Sequence, residues 1–519
     1  MDTADRERCP ITQIRRMNSM RQKTSNCYLL AIVALSLAVS SACNQAKSPA
    51  SASASSESGK IPITTKSEEA RNEFLQGRTL AEKLLVQDSL AHFDRAIALD
   101  PEFAAAELAR CNASPTAKEF FEHQQKAVSL ADKASEGERL LILANQAGAN
   151  GDAVKQKEYL EKLVTAYPND ERAHFNLGGY YFGQQELPQA VEHYRKATEI
   201  APSYSPAYNI LGYAYRQQGD YANAEQAFKK YIELIPNDPN PYDSYAELLL
   251  KMGKFDDSIG EYRKALSVDP HFVASHFGIS ADLLYMDKPQ EANAELQKII
   301  DQARSDGETR LALFGMAVVA ADGGKFDQAV QAIDKQYAVA EKKNDAGAMA
   351  ADLQAKGNIL LEARKYADSQ KAFDRSLQVT EGSGLSQEIK ENATRLHHFN
   401  LALIAVGKKN YITAKAESEE FRKGAEASKN PAQVKQAHEL AGVIALAEKN
   451  YASAIAELEQ ANLQNPRNLY RLYEAYQEKG DSAKAREYRS QAASFNPLPQ
   501  LNYAFIREKV NKTGGNKKG

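Results

Sequence analysis

At 519 residues the chain has the length of about three or four globular domains. Its 65 basic side chains nearly balance 68 acidic ones, which argues against a surface made to bind a polyanion. The absence of tryptophan beside 25 tyrosines and many alanines suits closely packed helix pairs.

The first 43 residues differ from the rest. Arg21 and Lys23 precede an apolar run, Tyr28 to Val39, too short to span a bilayer and proportioned like a secretory signal. Ser40, Ser41 and Ala42 stand directly before Cys43 and resemble the bacterial lipoprotein cleavage box, with Ser40 where leucine is common. The resemblance implies cleavage before Cys43, acylation of Cys43 and a lipid anchor in the cell envelope. Asn44 follows where an aspartate would signal inner-membrane retention, so the outer membrane, facing the periplasm, is the expected address. Cleavage would remove Cys9 and Cys27 and leave Cys111 alone, which excludes an intramolecular disulfide and predicts a small apolar packing role for it. Residues 44–67, with the run Ser51–Ser58, lack a helical pattern and are expected to form a flexible polar tether.

From residue 68 onward the sequence is periodic. Pro168, Pro202, Pro236 and Pro270 follow one another at intervals of 34 residues. Ala144, Gly178, Gly212 and Ala246 precede them in step, as do Leu160, Tyr194, Phe228 and Tyr262. A unit of this length cannot bury its own apolar face, so neighbours must stack into a solenoid. Within one unit, Tyr208, Leu211, Gly212 and Tyr215 mark one helical face, Gly219-Asp220-Tyr221 a turn, and Ala224, Phe228 and Tyr231 a second helix that Pro236 stops. Gly212 and Ala224 are expected where the two helices approach closely.

These positions resemble the tetratricopeptide repeat family. Leu177, Gly178, Tyr181, Ala190, Tyr194, Ala197 and Pro202 carry the pattern in 171–204, and Gly77, Leu80, Phe93, Ala96 and Pro101 carry it in 70–103. Gly442, Tyr451, Ala454, Leu458, Ala461 and Pro466 carry it again near the C-terminus. The resemblance implies an all-α, right-handed superhelical solenoid of about ten helix-turn-helix units. An N-terminal array is expected over 68–272, strongest at 137–272, and a C-terminal array over 273–500, degenerate at 273–434. In the degenerate part Ala292, Ala329, Ser369 and Ala414 can hold the small position of the second helix, with loops such as Thr380–Gln387 absorbing the extra length. Residues 501–519 are expected to form a C-terminal tail.

No catalytic constellation emerges. The chain has no phosphate-binding Gly-Lys-Ser loop, no G-x-S-x-G elbow, no C-x-x-C pair and no H-E-x-x-H helix. Adjacent His397 and His398 would diverge by about 100° on a helix, and His271 and His276 have no acidic neighbour at ligand spacing. Neither a metal, a cofactor nor a nucleic-acid partner is expected. Function should then lie in the surface the solenoid presents. The family resemblance places Asn145, Arg172, Phe175, Phe182, Asn209, Tyr213, Arg216, Asp243 and Glu247 on a concave groove. Aromatic area, amides that bond a peptide backbone, and charges that set polarity suit a segment or helix of another protein. The sequence-based expectation is a non-catalytic scaffold of the bacterial envelope; a soluble periplasmic or secreted adaptor and a peptidoglycan- or glycan-associated protein stay open beside it. Oligomeric state is not legible.

Overall fold

The computed structural model describes residues 59–512, apart from positions 84, 115, 116, 151, 386 and 429. Cys43, the apolar run before it and the tether as far as residue 58 lie outside the described residues, as do residues 513–519.

Among the described residues there are twenty-five α-helices, twenty-four of them in sequential antiparallel pairs. Units 1 to 3 are α1 (Glu68–Glu82) with α2 (Val86–Leu99), α3 (Ala104–Asn112) with α4 (Ala117–Leu130), and α5 (Glu136–Ala149) with α6 (Ala153–Ala166). Units 4 to 6 are α7 (Glu171–Gly183) with α8 (Leu187–Ile200), α9 (Ser205–Gln218) with α10 (Tyr221–Leu234), and α11 (Pro239–Lys251) with α12 (Phe255–Val268). Units 7 to 9 are α13 (Val273–Tyr285) with α14 (Pro289–Gln302), α15 (Asp306–Asp322) with α16 (Phe326–Lys342), and α17 (Ala346–Glu362) with α18 (Tyr366–Glu381). Units 10 to 12 are α19 (Gln387–Gly407) with α20 (Tyr411–Ser428), α21 (Pro431–Ala447) with α22 (Tyr451–Leu458), and α23 (Pro466–Lys479) with α24 (Ser482–Ala493). A last helix, α25 (Leu501–Lys512), follows.

The signature residues explain why these pairs close. A Cβ on Gly212 would stand 2.7 Å from the Phe228 ring, one on Gly178 2.9 Å from the Tyr194 ring, and one on Gly77 2.7 Å from Phe93. A glycine in the first helix is thus the seat of the aromatic in the second. In unit 11 Leu458 plays the aromatic's part against Gly442, at 2.6 Å. Ala190 and Ala224 are fully buried on the partner helices. Pro202, Pro236 and Pro270 each follow the last residue of a second helix by two positions, where the ladder must end. Pro466 departs from the expectation. It does not stop α22, which ends at Leu458, but opens α23 as its first residue, where a missing amide costs nothing.

The degenerate region is also regular, with one correction. Ala292, Ala329, Ser369 and Ala414 are all fully buried, as the small position requires. The extra length is absorbed by helices instead of by loops: α15, α16 and α17 run 17 residues each, α20 runs 18 and α19 runs 21. Cys111 is buried within α3.

Both ends of the array depart from expectation. Residues 59–66, assigned to the tether, run extended across the starts of three units. The Ile61 amide donates to Asp170 (2.9 Å), the Thr64 amide to Glu138 (2.9 Å) and the Lys66 amide to Asp100 (2.9 Å), while Lys60 pairs with Glu171. Ile61 and Ile63 alternate inward, the period of an extended strand, and pack on the core of units 3 to 5 and on that of units 1 and 2. Residues 501–512, assigned to a tail, are the helix α25. It packs against α15, α17, α23 and α24. A polar, lysine-containing end hid an apolar face, because Tyr503, Phe505, Ile506 and Val510 are too few for a periodic pattern to stand out.

Candidate functional site: the concave face of units 3 to 7

The first helices of successive units line the concave face, and side chains three units apart meet across it. Arg172 of α7 donates from Nε to Glu82 of α1 at 2.8 Å and lies over the Tyr204 ring at 5.2 Å. Near the other end Arg467 of α23 pairs with Glu362 of α17 at 2.9 Å. The channel is therefore narrow, and the residues expected to line it are engaged with one another.

Asn145 joins units 2 and 3: its amide donates to Asn112 Oδ1 at 2.8 Å and accepts from Gln124 at 2.9 Å. Phe175 packs its ring on Tyr204, edge to face, at 5.5 Å. Phe182 is half-buried beside it in the core of units 3 to 5. Tyr213 stands edge-on to Phe228 at 5.1 Å and donates its hydroxyl to Ser244 at 3.2 Å. The Arg216 guanidinium lies 4.6 Å from the Tyr213 ring centre and donates to Glu247 of the next unit at 2.9 Å. Asp243 accepts from the Ser275 hydroxyl of the unit after that, at 2.7 Å. A chain of contacts thus links α9, α11 and α13 along the groove.

Not all nine are accessible. Asn209 and Asp243 are buried, whereas Asn145, Arg172, Phe175, Phe182, Tyr213, Arg216 and Glu247 are half-buried. Tyr213 and Arg216 also carry helix contacts, Tyr213 on Phe228 of its own unit and Arg216 on Glu247 of the next. The Tyr213 ring leans over Phe228, the aromatic of the second helix, and is shared between groove and core.

The electrostatics follow from this enclosure. Burial, with Glu247 alongside, pushes the Asp243 carboxyl well above the ordinary range, and the Ser275 hydroxyl opposes this. Burial also works against the Arg216 charge, but Glu247 outweighs it and holds the guanidinium above its ordinary pKa. Lys251, one turn beyond Glu247, is depressed to about 8 by burial and by Arg216. It donates to the Phe495 carbonyl at 2.6 Å, and its ammonium stands 4.0 Å from the Phe495 ring centre. Sequence reasoning did not select Lys251, because its partner lies 244 residues away. Nor did it select Tyr285, whose hydroxyl donates to the Pro497 carbonyl at 2.7 Å.

The histidines are structural in their contacts. His276 meets Glu295, His398 meets Glu417 and His438 meets Glu457, each across its own helix pair. Among the described residues no group of three or more His, Cys, Asp or Glu side chains is placed to hold a metal ion. No helix there is long and apolar enough to cross a membrane.

The fold and its concave surface define an all-α repeat solenoid. Residues 169–237 and 240–272 match two family models, each described as tetratricopeptide repeat. That stretch of the chain is similar to tetratricopeptide repeats. A tetratricopeptide repeat protein from Parabacteroides merdae is 17% identical, covering 51% of this chain and 99% of its own, with a TM-score of 0.37. The thermophilic protein TTC0263 of Thermus thermophilus is 22% identical, covering 41% of this chain and 99% of its own, with a TM-score of 0.28. The MamA protein is 22% identical, covering 31% of this chain and 89% of its own, also at 0.28. No curated protein matches the sequence.

Proposed function

We propose that the protein is a non-catalytic interaction scaffold that takes a segment of another protein along the concave face of units 3 to 6. One observation carries this reading: half-buried Arg172, Phe175, Phe182, Tyr213, Arg216 and Glu247 from three successive units form one strip of aromatic and charged side chains. Aromatic and arginine side chains are the residue types that anchor protein interfaces. Asp243 and Glu247, the carboxylate pair that a glycan reading would need, are committed to Ser275 and Arg216. That commitment favours a polypeptide ligand.

The envelope setting belongs to the same proposal and rests on the sequence around Cys43. An acylated Cys43 would anchor the scaffold, because several acyl chains at about 0.8 kcal/mol per buried methylene far exceed the hold of a single chain. The test has two arms. Replacing Phe182 by a photoreactive benzoylphenylalanine in cells should crosslink a partner segment, identified by mass spectrometry; the same probe at solvent-exposed Val154 on α6 should not. Equal labelling at both sites would reject the groove. Cys43→Ser should release the protein from membranes, and unchanged membrane association would reject the anchor.

A further inference from the structure

The concave channel of units 8 to 12 already holds a helix, and that helix is α25. Tyr503, Ile506 and Val510 join the cluster of Leu472, Tyr473 and Tyr476 on α23. Ala504 and Phe505 face the other way, into Ala317, Val318 and Ala321 of α15 and Ile359 of α17. All five are buried. The charges follow the same division. Arg507 grips Asp322 with two hydrogen bonds of 2.8 and 2.7 Å and reaches Asp287 at 3.1 Å. Lys509 pairs with Glu362 at 2.6 Å, and the Arg467 guanidinium covers the Phe505 ring at 5.2 Å.

We infer that this channel is a helix-recognition site, with α25 as its resident self-ligand. The outside partner it fits is an amphipathic helix carrying Tyr-x-Phe-Ile-Arg-x-Lys or its chemical equivalent. Three observations separate this from a plain end cap. α25 touches two walls far apart in sequence, which is how a ligand lies in a groove. It is joined to α24 by residues 494–500, which include Pro497, Pro499 and a left-handed Asn496 (φ 38°), so it can leave without unwinding a helix pair. The fit is also incomplete. An open cleft of about 520 Å³ remains beside α25, bordered by Leu284, Val319, Asp322, Arg507 and Asn511. A partner helix with a larger apolar side chain at the Asn511 position fills that cleft and gains contacts α25 lacks. Such an advantage is needed, since a tethered helix competes at an effective concentration on the order of millimolar. This site lies in a different half of the solenoid from the proposed groove of units 3 to 6 and does not depend on it.

The test uses the full chain and a fluorescent synthetic peptide of residues 494–512. In the Arg507→Glu chain α25 is repelled by Asp322 and Asp287, and the peptide should bind at least ~30-fold more tightly than to the unaltered chain, the discount a tether imposes. Peptide carrying Asn511→Leu should bind more tightly still. Adding Asp322→Arg to the Arg507→Glu chain restores an opposite charge facing the altered α25, which should reseat and return peptide binding to the level of the unaltered chain. Circular dichroism keeps the result interpretable. If Arg507→Glu unfolds the array and captures no peptide, α25 is an end cap and the inference fails. It fails as well if the unaltered chain binds the peptide equally. Native mass spectrometry showing the variant as a dimer with exchanged α25 helices would reject the outside partner in favour of a second copy.

Discussion

His174 of α7 and His193 of α8 bring their Nδ1 atoms to 3.1 Å inside unit 4. Four other units use the same separation of 19 residues for a histidine and a glutamate: His92 with Glu73, His276 with Glu295, His398 with Glu417 and His438 with Glu457. Unit 4 has replaced the carboxylate with a second imidazole. One ring must donate and the other accept, so the pair requires at least one neutral ring, and two protonated rings would repel. His193 is also stacked on Tyr181, and His174 bonds the Pro168 carbonyl through Nε2 at 3.1 Å.

The pair makes unit 4 sensitive to acid. Burial lowers both histidines below the ordinary imidazole value, with Lys196 adding to the effect at His174 and His174 adding to it at His193. A base whose pKa is depressed on folding binds fewer protons folded than unfolded. Its stability is present above the unfolded value near 6.5 and is lost as pH falls through the folded one. His193→Glu should install the contact of the other units and raise stability at pH 5 by about 1–2 kcal/mol, while changing little at pH 8. Thermal melts of both proteins across pH 5 to 8 check this. Parallel profiles would show that the pair carries no acid sensitivity.

A second expectation concerns the turn inside each unit. Gly219, Gly253, Gly324 and Gly480 sit there with positive φ, and Gln185, Asp287, Arg364, Lys409 and Lys449 occupy equivalent turns at φ 58–63°. Side chains other than glycine are strained in that region by roughly 1–2 kcal/mol. Lys449→Gly should therefore stabilise unit 11 by about 0.5–1 kcal/mol, and Gly219→Ala should destabilise unit 5 by a similar amount. The urea midpoints should move in opposite directions; a shift of the same sign in both would show that the turn conformation is not what limits these units.

This turn also shows how far the sequence could be read. Gly219 announces its own conformation, and local spacing announced Gly212 against Phe228, because both are facts within one unit. Lys449 announces nothing, since its φ is imposed by the helices on either side. The groove residues were legible as a list, because position within a repeat determines direction. Their commitments were not: Arg216 to Glu247 and Arg172 to Glu82 depend on how tightly the superhelix winds, and no single repeat encodes that. The same holds for Arg507 and Asp322, which are 185 residues apart.

Those commitments change what groove substitutions should do. Arg216→Ala would remove the cation from a half-buried Glu247 and from the face of Tyr213. Breaking an enclosed ion pair from one side costs on the order of 3 kcal/mol, more than either side chain contributes when both are replaced. The double change Arg216→Met with Glu247→Leu should therefore be less destabilising than Arg216→Ala alone. A double-mutant cycle on chemical denaturation measures the difference, and simple additivity would mean that the pair is solvated.

Asp282 tests the opposite end of the pH scale. It sits on α13, fully buried, and neither carboxyl oxygen has a hydrogen-bond partner. The nearby Ser258 hydroxyl is used on the Ala246 carbonyl at 2.9 Å. Burial pushes the carboxyl up to about 8; the neighbouring Ser258 hydroxyl opposes the rise and Asp256 adds to it. An acid whose pKa is raised on folding binds more protons folded than unfolded, so its contribution falls as pH climbs from the unfolded value near 4 toward 8. Asp282→Asn removes the charge that must otherwise be buried or neutralised. The variant should be more stable than the parent at pH 8 by about 2 kcal/mol and nearly equal to it at pH 5. Because a long repeat array need not unfold in one step, hydrogen exchange within α12 and α13 is the sharper readout. Protection there should rise in the variant at pH 8 and not at pH 5, after correction for the intrinsic exchange rate. A gain of the same size at both pH values would assign the effect to packing and would place the Asp282 carboxyl in contact with water.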